Sequence, residues 1–173
     1  MGNFLIGDVL AVVGFFVGVT LASWATILFT ALTFARHSER AKGHLKTKPW
    51  KAGLQGVALS LILAAVGFQI FNIPTLLTKI IGFSILFVWA TLATIGAAGM
   101  IRLAAERMRE EDPRVRPWTS MVRSAAYLTI ACLLPFIGTF GISFAVLLVG
   151  TGAGFMALVK EPATATAENQ SVA

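Results

Sequence analysis

The chain has 173 residues, of which 57% are hydrophobic and 13% charged, and its formal net charge is +6. Soluble domains carry about 25% charged residues, so this composition, with a mean hydropathy of +0.81, points to lipid as the solvent and leaves no room for a separate soluble domain. The lone cysteine, Cys132, sits inside an apolar run, which excludes a disulfide framework or a cysteine metal site and reads as a small core residue.

The first residues carry Asp8 but no Lys or Arg, unlike the basic start of a secretory signal. Met1-Gly2-Asn3-Phe4-Leu5-Ile6 lacks the Ser or Thr that myristoylation requires at its sixth position. Residues 9–35 form the first expected span. At 1.5 Å per residue it is about 40 Å long, more than the ~30 Å hydrocarbon core needs, so it tilts or emerges at one end. Asp8 is placed to cap its N-terminus. Gly14 and Gly18, four apart, offer another helix a close approach. Thr20, Ser23, Thr26 and Thr30 are expected to bond back to carbonyls of their own helix.

Residues 36–51 read as a polar link carrying Arg36, Arg40, Lys42, Lys46, Lys48 and Lys51 against a single acid, Glu39. The positive-inside rule places it in the cytoplasm, where its charge attracts anionic lipid headgroups. His37 and His44 fall in this solvated stretch and give no metal or haem site. No folded basic domain or interleaved aromatics point to nucleic acid. Trp50 is an interface anchor.

The second span covers 52–71, and the chain reverses at Asn72-Ile73-Pro74, because proline cannot continue a helix and restricts the residue before it. The third covers 75–101. Lys79 lies about one turn past Pro74 and snorkels to the outer headgroups, with Gln69 and Asn72 serving the same turn. Gly96, Ala97, Ala98 and Gly99 give the inner end of this span a small-residue packing face.

A second basic link covers 102–116. Arg102 with Glu106 and Arg107 with Glu111 stand four apart, so the third helix continues outward as an ion-paired stretch until Asp112-Pro113 ends it. Arg102, Arg107, Arg109, Arg114, Arg116 and Arg123 place this link on the same side as the first. An out-and-back hairpin between the two links requires that same arrangement. Trp118 is the second interface anchor.

Residues 124–159 are too long for one span, and Pro135, Gly138 and Gly141 supply a turn. The fourth and fifth spans are then 118–137 and 140–159, with one kinked span, four in all, as the alternative. Gly150 and Gly154 repeat the close-packing spacing. Lys160 closes the last helix, and 161–173 reads as a disordered cytoplasmic tail.

Lys48-Pro49-Trp50 before one hairpin recurs as Arg116-Pro117-Trp118 before the other. The Asn72-Ile73-Pro74 turn has its counterpart in Leu133-Leu134-Pro135-Phe136-Ile137-Gly138. Over residues 35–158 this pattern resembles the membrane domain that follows the β-helical part of bactofilin-like, polymer-forming bacterial proteins. The resemblance implies an anchor without catalytic residues. No short-period β repeat precedes the spans here, so the chain is not expected to polymerise in that way.

No Asp, Glu or His lies within an expected span, so the intramembrane acids of ion-coupled transporters and an imidazole for haem are missing. The links hold no nucleophile–base pair, paired carboxylates or glycine-rich phosphate loop. The expected molecule is an all-α, five-span bundle, one single span followed by two helical hairpins. It sits in a bacterial inner membrane with its N-terminus outside and its C-terminus in the cytoplasm. The expected function is a non-enzymatic anchor, scaffold or accessory subunit without cofactors, contacting anionic lipid and other membrane subunits or itself. A small homo-oligomeric channel, with Lys79, Gln69 and Asn72 at its outer mouth, is the alternative. A lipid-modifying enzyme using the arginines ranks last.

Overall fold

One long helix, α4 (Leu76–Glu111), touches every other α-helix among the described residues. The computed structural model describes residues 6–134 and 137–159. Around α4 stand α1 (Ile6–Thr33), α2 (Ala35–Thr47), α3 (Pro49–Phe71), α5 (Pro117–Leu133) and α6 (Ser143–Val159), the last preceded by a π-helical stretch, Ile137–Ile142. Among the described residues there is no strand, and the fold is an all-α bundle. Gly7–Thr33, Pro49–Phe71, Leu76–Glu111 and Phe140–Val159 are each long and apolar enough to cross a membrane. With 17 residues, α5 is shorter, about 25 Å. The protein is therefore a multi-pass membrane protein of four or five spans.

Local chemistry sets the helix ends. Pro49 and Pro117 open α3 and α5, where a missing N–H costs nothing and the fixed φ suits a first turn. Thr75 caps α4 by accepting the Thr78 N–H, and Asp112, in extended conformation, ends it. Asp8 lies in the first turn of α1 rather than ahead of it, so it meets the helix dipole and is not the expected cap. Thr20, Thr26 and Thr30 bond to the carbonyls of Phe16, Ala22 and Thr26 in their own helix.

The first link departs from its reading as a polar loop. After a break at Phe34 (φ −103°, ψ 44°), residues 35–47 form α2, which buries Ser38, Ala41, His44 and Leu45 along one face. Ala41 and Leu45 join Ala52 of α3 and Ala153 and Ala157 of α6 in a buried cluster. His44, expected in solvent, is only 5% exposed. The first span accordingly stops at Thr33 rather than 35, and the second begins at Pro49 rather than 52. The turn residue Pro135 and the tail 161–173 lie outside the described residues. Gly138 belongs to the π-helical stretch, where its N–H bonds to the Leu134 carbonyl at 2.9 Å.

Backbone contact holds the centre together. On α6, Gly150 and Gly154 face α4, where an added Cβ would meet the Ala93 and Leu92 carbonyls, and a Cβ on Gly96 would strike Gly150 in return. Gly152 points the other way, toward α3: its Cβ would land on the Ala52 carbonyl, and one on Gly56 would land on that of Leu148. Without a hydrophobic drive between helices in lipid, such close approach is a principal source of association. Trp89 Nε1–H donates to Ser60 Oγ at 3.2 Å, adding a polar tie between α4 and α3. On the opposite flank, Leu28 of α1, Ile101 of α4 and Ala125 of α5 form a second cluster. There Trp24 Nε1–H donates to the Val122 carbonyl at 3.5 Å.

Candidate functional site

The charged groups of the two basic links meet at one end of the bundle because α4 runs past the apolar region and α2 lies against that extension. Gly99 permits the approach: a Cβ there would stand 2.7 Å from that of Ala41. Arg102, the next charge along α4, is expected to pair with Glu106 one turn on. It turns to α2 and α1 instead. Its Nη1 donates to Glu39 Oε1 at 2.6 Å, and its Nη2 to the Ala31 carbonyl at 2.6 Å. Glu106 likewise faces Lys46 at 3.0 Å and Lys42 at 3.3 Å, while Lys42 reaches Glu39 at 2.7 Å. No ion pair joins Arg107 to Glu111, the other expected pair.

These five side chains form one cross-helix network. Burial would raise the Glu39 carboxyl pKa, but the Lys42 ammonium and the Arg102 guanidinium outweigh it and hold the value below the usual carboxylate range. Burial would lower the Lys42 pKa, and Glu39 and Glu106 outweigh that and raise it. Beside the network, an open cleft of about 360 Å³ runs between α2, α4 and the first turn of α5. Ala105, Arg109, Pro117, Ser120 and Met121 line it together with Glu39, Lys42, Arg102 and Glu106, leaving one positive charge in excess.

Lys42, Lys46 and Arg102, read from the sequence as headgroup contacts, are thus engaged with carboxylates of the chain itself. Arg36, Lys48, Lys51, Arg107, Arg109, Arg114 and Arg116 are exposed at the same end, and Arg40 is half-buried. The anchors Trp50 and Trp118 are exposed. At the opposite end Gln69, Asn72 and Lys79 are exposed around the α3–α4 turn. Gly96, Gly150 and Gly154 lie at backbone contacts, but Gly14 and Gly18 have nothing within 4 Å of an added Cβ. From Gly7 to Val19 every residue of α1 is exposed. Cys132 is half-buried, and among the described residues no group of His, Cys, Asp or Glu is placed to hold a metal ion.

No family model, curated protein or solved structure matches the chain.

Sequence reasoning passes over Gly56 and Gly152. A signal for Gly56 exists: Ala52, Gly56 and Ser60 recur every four residues and place a small-residue stripe on the buried face of α3. Gly152 is masked by Gly150 and Gly154 on either side of it, yet two residues along a helix is a turn to the opposite face.

Proposed function

We propose that this protein is a non-enzymatic membrane anchor or accessory subunit that joins a larger assembly through the free half of α1. One observation carries the reading: every residue from 7 to 19 is exposed, and an added Cβ on Gly14 or Gly18 would meet nothing within 4 Å. The contrast with α6, whose glycines are filled by backbone from two sides, makes the unfilled pair on α1 the natural place for a further helix. The ion network supports a holding role, since its charges tie α1, α2 and α4 together. The resemblance to the anchors of bactofilin-like proteins favours the same class. By the positive-inside rule the basic end is cytoplasmic, and the bactofilin-like resemblance is what favours a bacterial inner membrane.

A homo-oligomeric channel is the second reading, favoured by the exposed Lys79, Gln69 and Asn72 at the other end. Mild-detergent purification followed by mass spectrometry separates the two. The anchor reading requires stoichiometric foreign subunits and no ion flux in liposomes. A homo-oligomer that conducts, with flux altered by Lys79→Ala, overturns it.

A further inference from the structure

At the basic end of the bundle, a groove of about 510 Å³ runs between α3 and α6, within the size range of small-molecule sites. Its floor is Gly53, whose missing side chain leaves the space open: an added Cβ would only touch Val149 Cγ2, at 3.9 Å. Leu54, Val57, Leu148 and Val149 form the walls, and Trp50 stands at the mouth, 83% exposed. From Pro49 to Val57 the groove extends along α3 for about 12 Å at 1.5 Å per residue. One leaflet of a ~30 Å hydrocarbon core is about 15 Å deep, so the groove spans most of a leaflet, beginning at its polar boundary.

The rim is as informative as the walls. Lys48 and Lys51 flank Pro49-Trp50, both exposed, and neither forms an ion pair with a described residue. Lys42 and Lys46, only a few residues earlier, are both paired with carboxylates. Two ammonium groups without an ion pair among the described residues thus adjoin, in sequence, the Pro49-Trp50 mouth of a slot lined by hydrocarbon, and their long side chains reach the polar boundary beside it. That pairs an anionic head with an apolar tail in one ligand.

We infer that this groove holds one acyl chain of an anionic phospholipid, its phosphate on Lys48 and Lys51 and its tail over Gly53. The site rests on the membrane placement of α3 and α6 and not on the anchor reading. Bulk lipid covers the outward ridges of the bundle without choosing among headgroups, whereas a recessed slot with lysines next to its mouth selects both parts of the molecule.

The full chain, purified from micelles containing equal amounts of phosphatidylglycerol and phosphatidylcholine, is examined by native mass spectrometry. One phosphatidylglycerol per chain is expected to remain, at least fivefold over phosphatidylcholine. Gly53→Leu fills the slot and should cut that retention at least fivefold, while Ala58→Leu, on an exposed part of α3, leaves it unchanged. Lys48→Gln with Lys51→Gln should bring the two lipids to equal retention. A second measurement needs no groove variant. Brominated-chain phosphatidylglycerol, dilute in phosphatidylcholine vesicles, should quench the Trp50 share of the fluorescence more than twice as strongly as brominated phosphatidylcholine. That share is the part lost in Trp50→Phe. Equal retention of the two lipids by the native chain, retention unaffected by Gly53→Leu, or equal quenching by the two brominated lipids overturns the proposal.

Discussion

Arg102 and Glu39 join the two basic links at the point where α1 ends: one guanidinium nitrogen donates to Glu39 at 2.6 Å while the other donates to the Ala31 carbonyl at the same distance. That carbonyl belongs to the last turn of α1, where helix carbonyls have no partner of their own. A single side chain therefore caps α1, holds α2 and belongs to α4. Arg102→Ala is expected to lower the unfolding free energy by about 2 kcal/mol, since a hydrogen bond to a charged group is worth about 1.5–3 kcal/mol. Arg102→Lys should recover less than half of the loss, because one ammonium lacks the planar fork that serves both acceptors. Unfolding in mixed micelles under rising dodecyl sulfate, followed by far-UV circular dichroism, reads both effects.

The glycines divide into two groups with opposite expectations. Gly96→Ala and Gly152→Ala each push a methyl group into a facing backbone, which no rotamer change relieves. Each should cost about 1–3 kcal/mol, the usual range for overpacking. Gly14→Ala and Gly18→Ala meet nothing within the chain and should leave its stability within about 0.5 kcal/mol. The same dodecyl sulfate titration compares all four.

The ion network also sets a pH window. Glu39 has a lowered pKa in the fold, so its contribution is complete above its ordinary value near 4.5 and is lost as pH falls through the lower folded value. Lys42 has a raised pKa, so its contribution is complete below 10.5 and is lost as pH rises through the higher folded value. Stability from this network should be level between those limits and decline on both sides. Comparison of the native chain with Glu39→Gln should show the acid decline reduced in the variant. Comparison with Lys42→Met should show the alkaline decline reduced.

How much of this was readable in advance follows from how each feature is encoded. The long apolar runs that become α1, α3 and α4 announce themselves, because spanning a bilayer needs an uninterrupted stretch of such residues. α2 was hidden because its buried face holds only Ala41 and Leu45 as apolar residues, among Ser38 and His44. Its helix forms against a neighbour rather than from its own pattern. Arg102 and Glu106 show the limit of spacing rules. Four residues apart, they suit an exposed pair worth a few tenths of a kcal/mol, but α2 brings Glu39, Lys42 and Lys46 within reach, and these take precedence. Gly152 shows another limit, since glycines spaced by two feed opposite faces and only the facing helices reveal which is used.

The most direct test of the assembly role is site-specific photocross-linking in native membranes. A photoreactive phenylalanine analogue replaces Phe15, which is 68% exposed beside Gly14 on the free half of α1. Irradiation is expected to give one dominant adduct with a different polypeptide, lost when Gly14→Leu and Gly18→Leu are added. The same analogue at Leu61, 66% exposed on α3, should give only lipid adducts. At Phe15, lipid adducts alone, or an adduct with the mass of two copies of this chain, would contradict a role as an anchor or accessory subunit docked through α1.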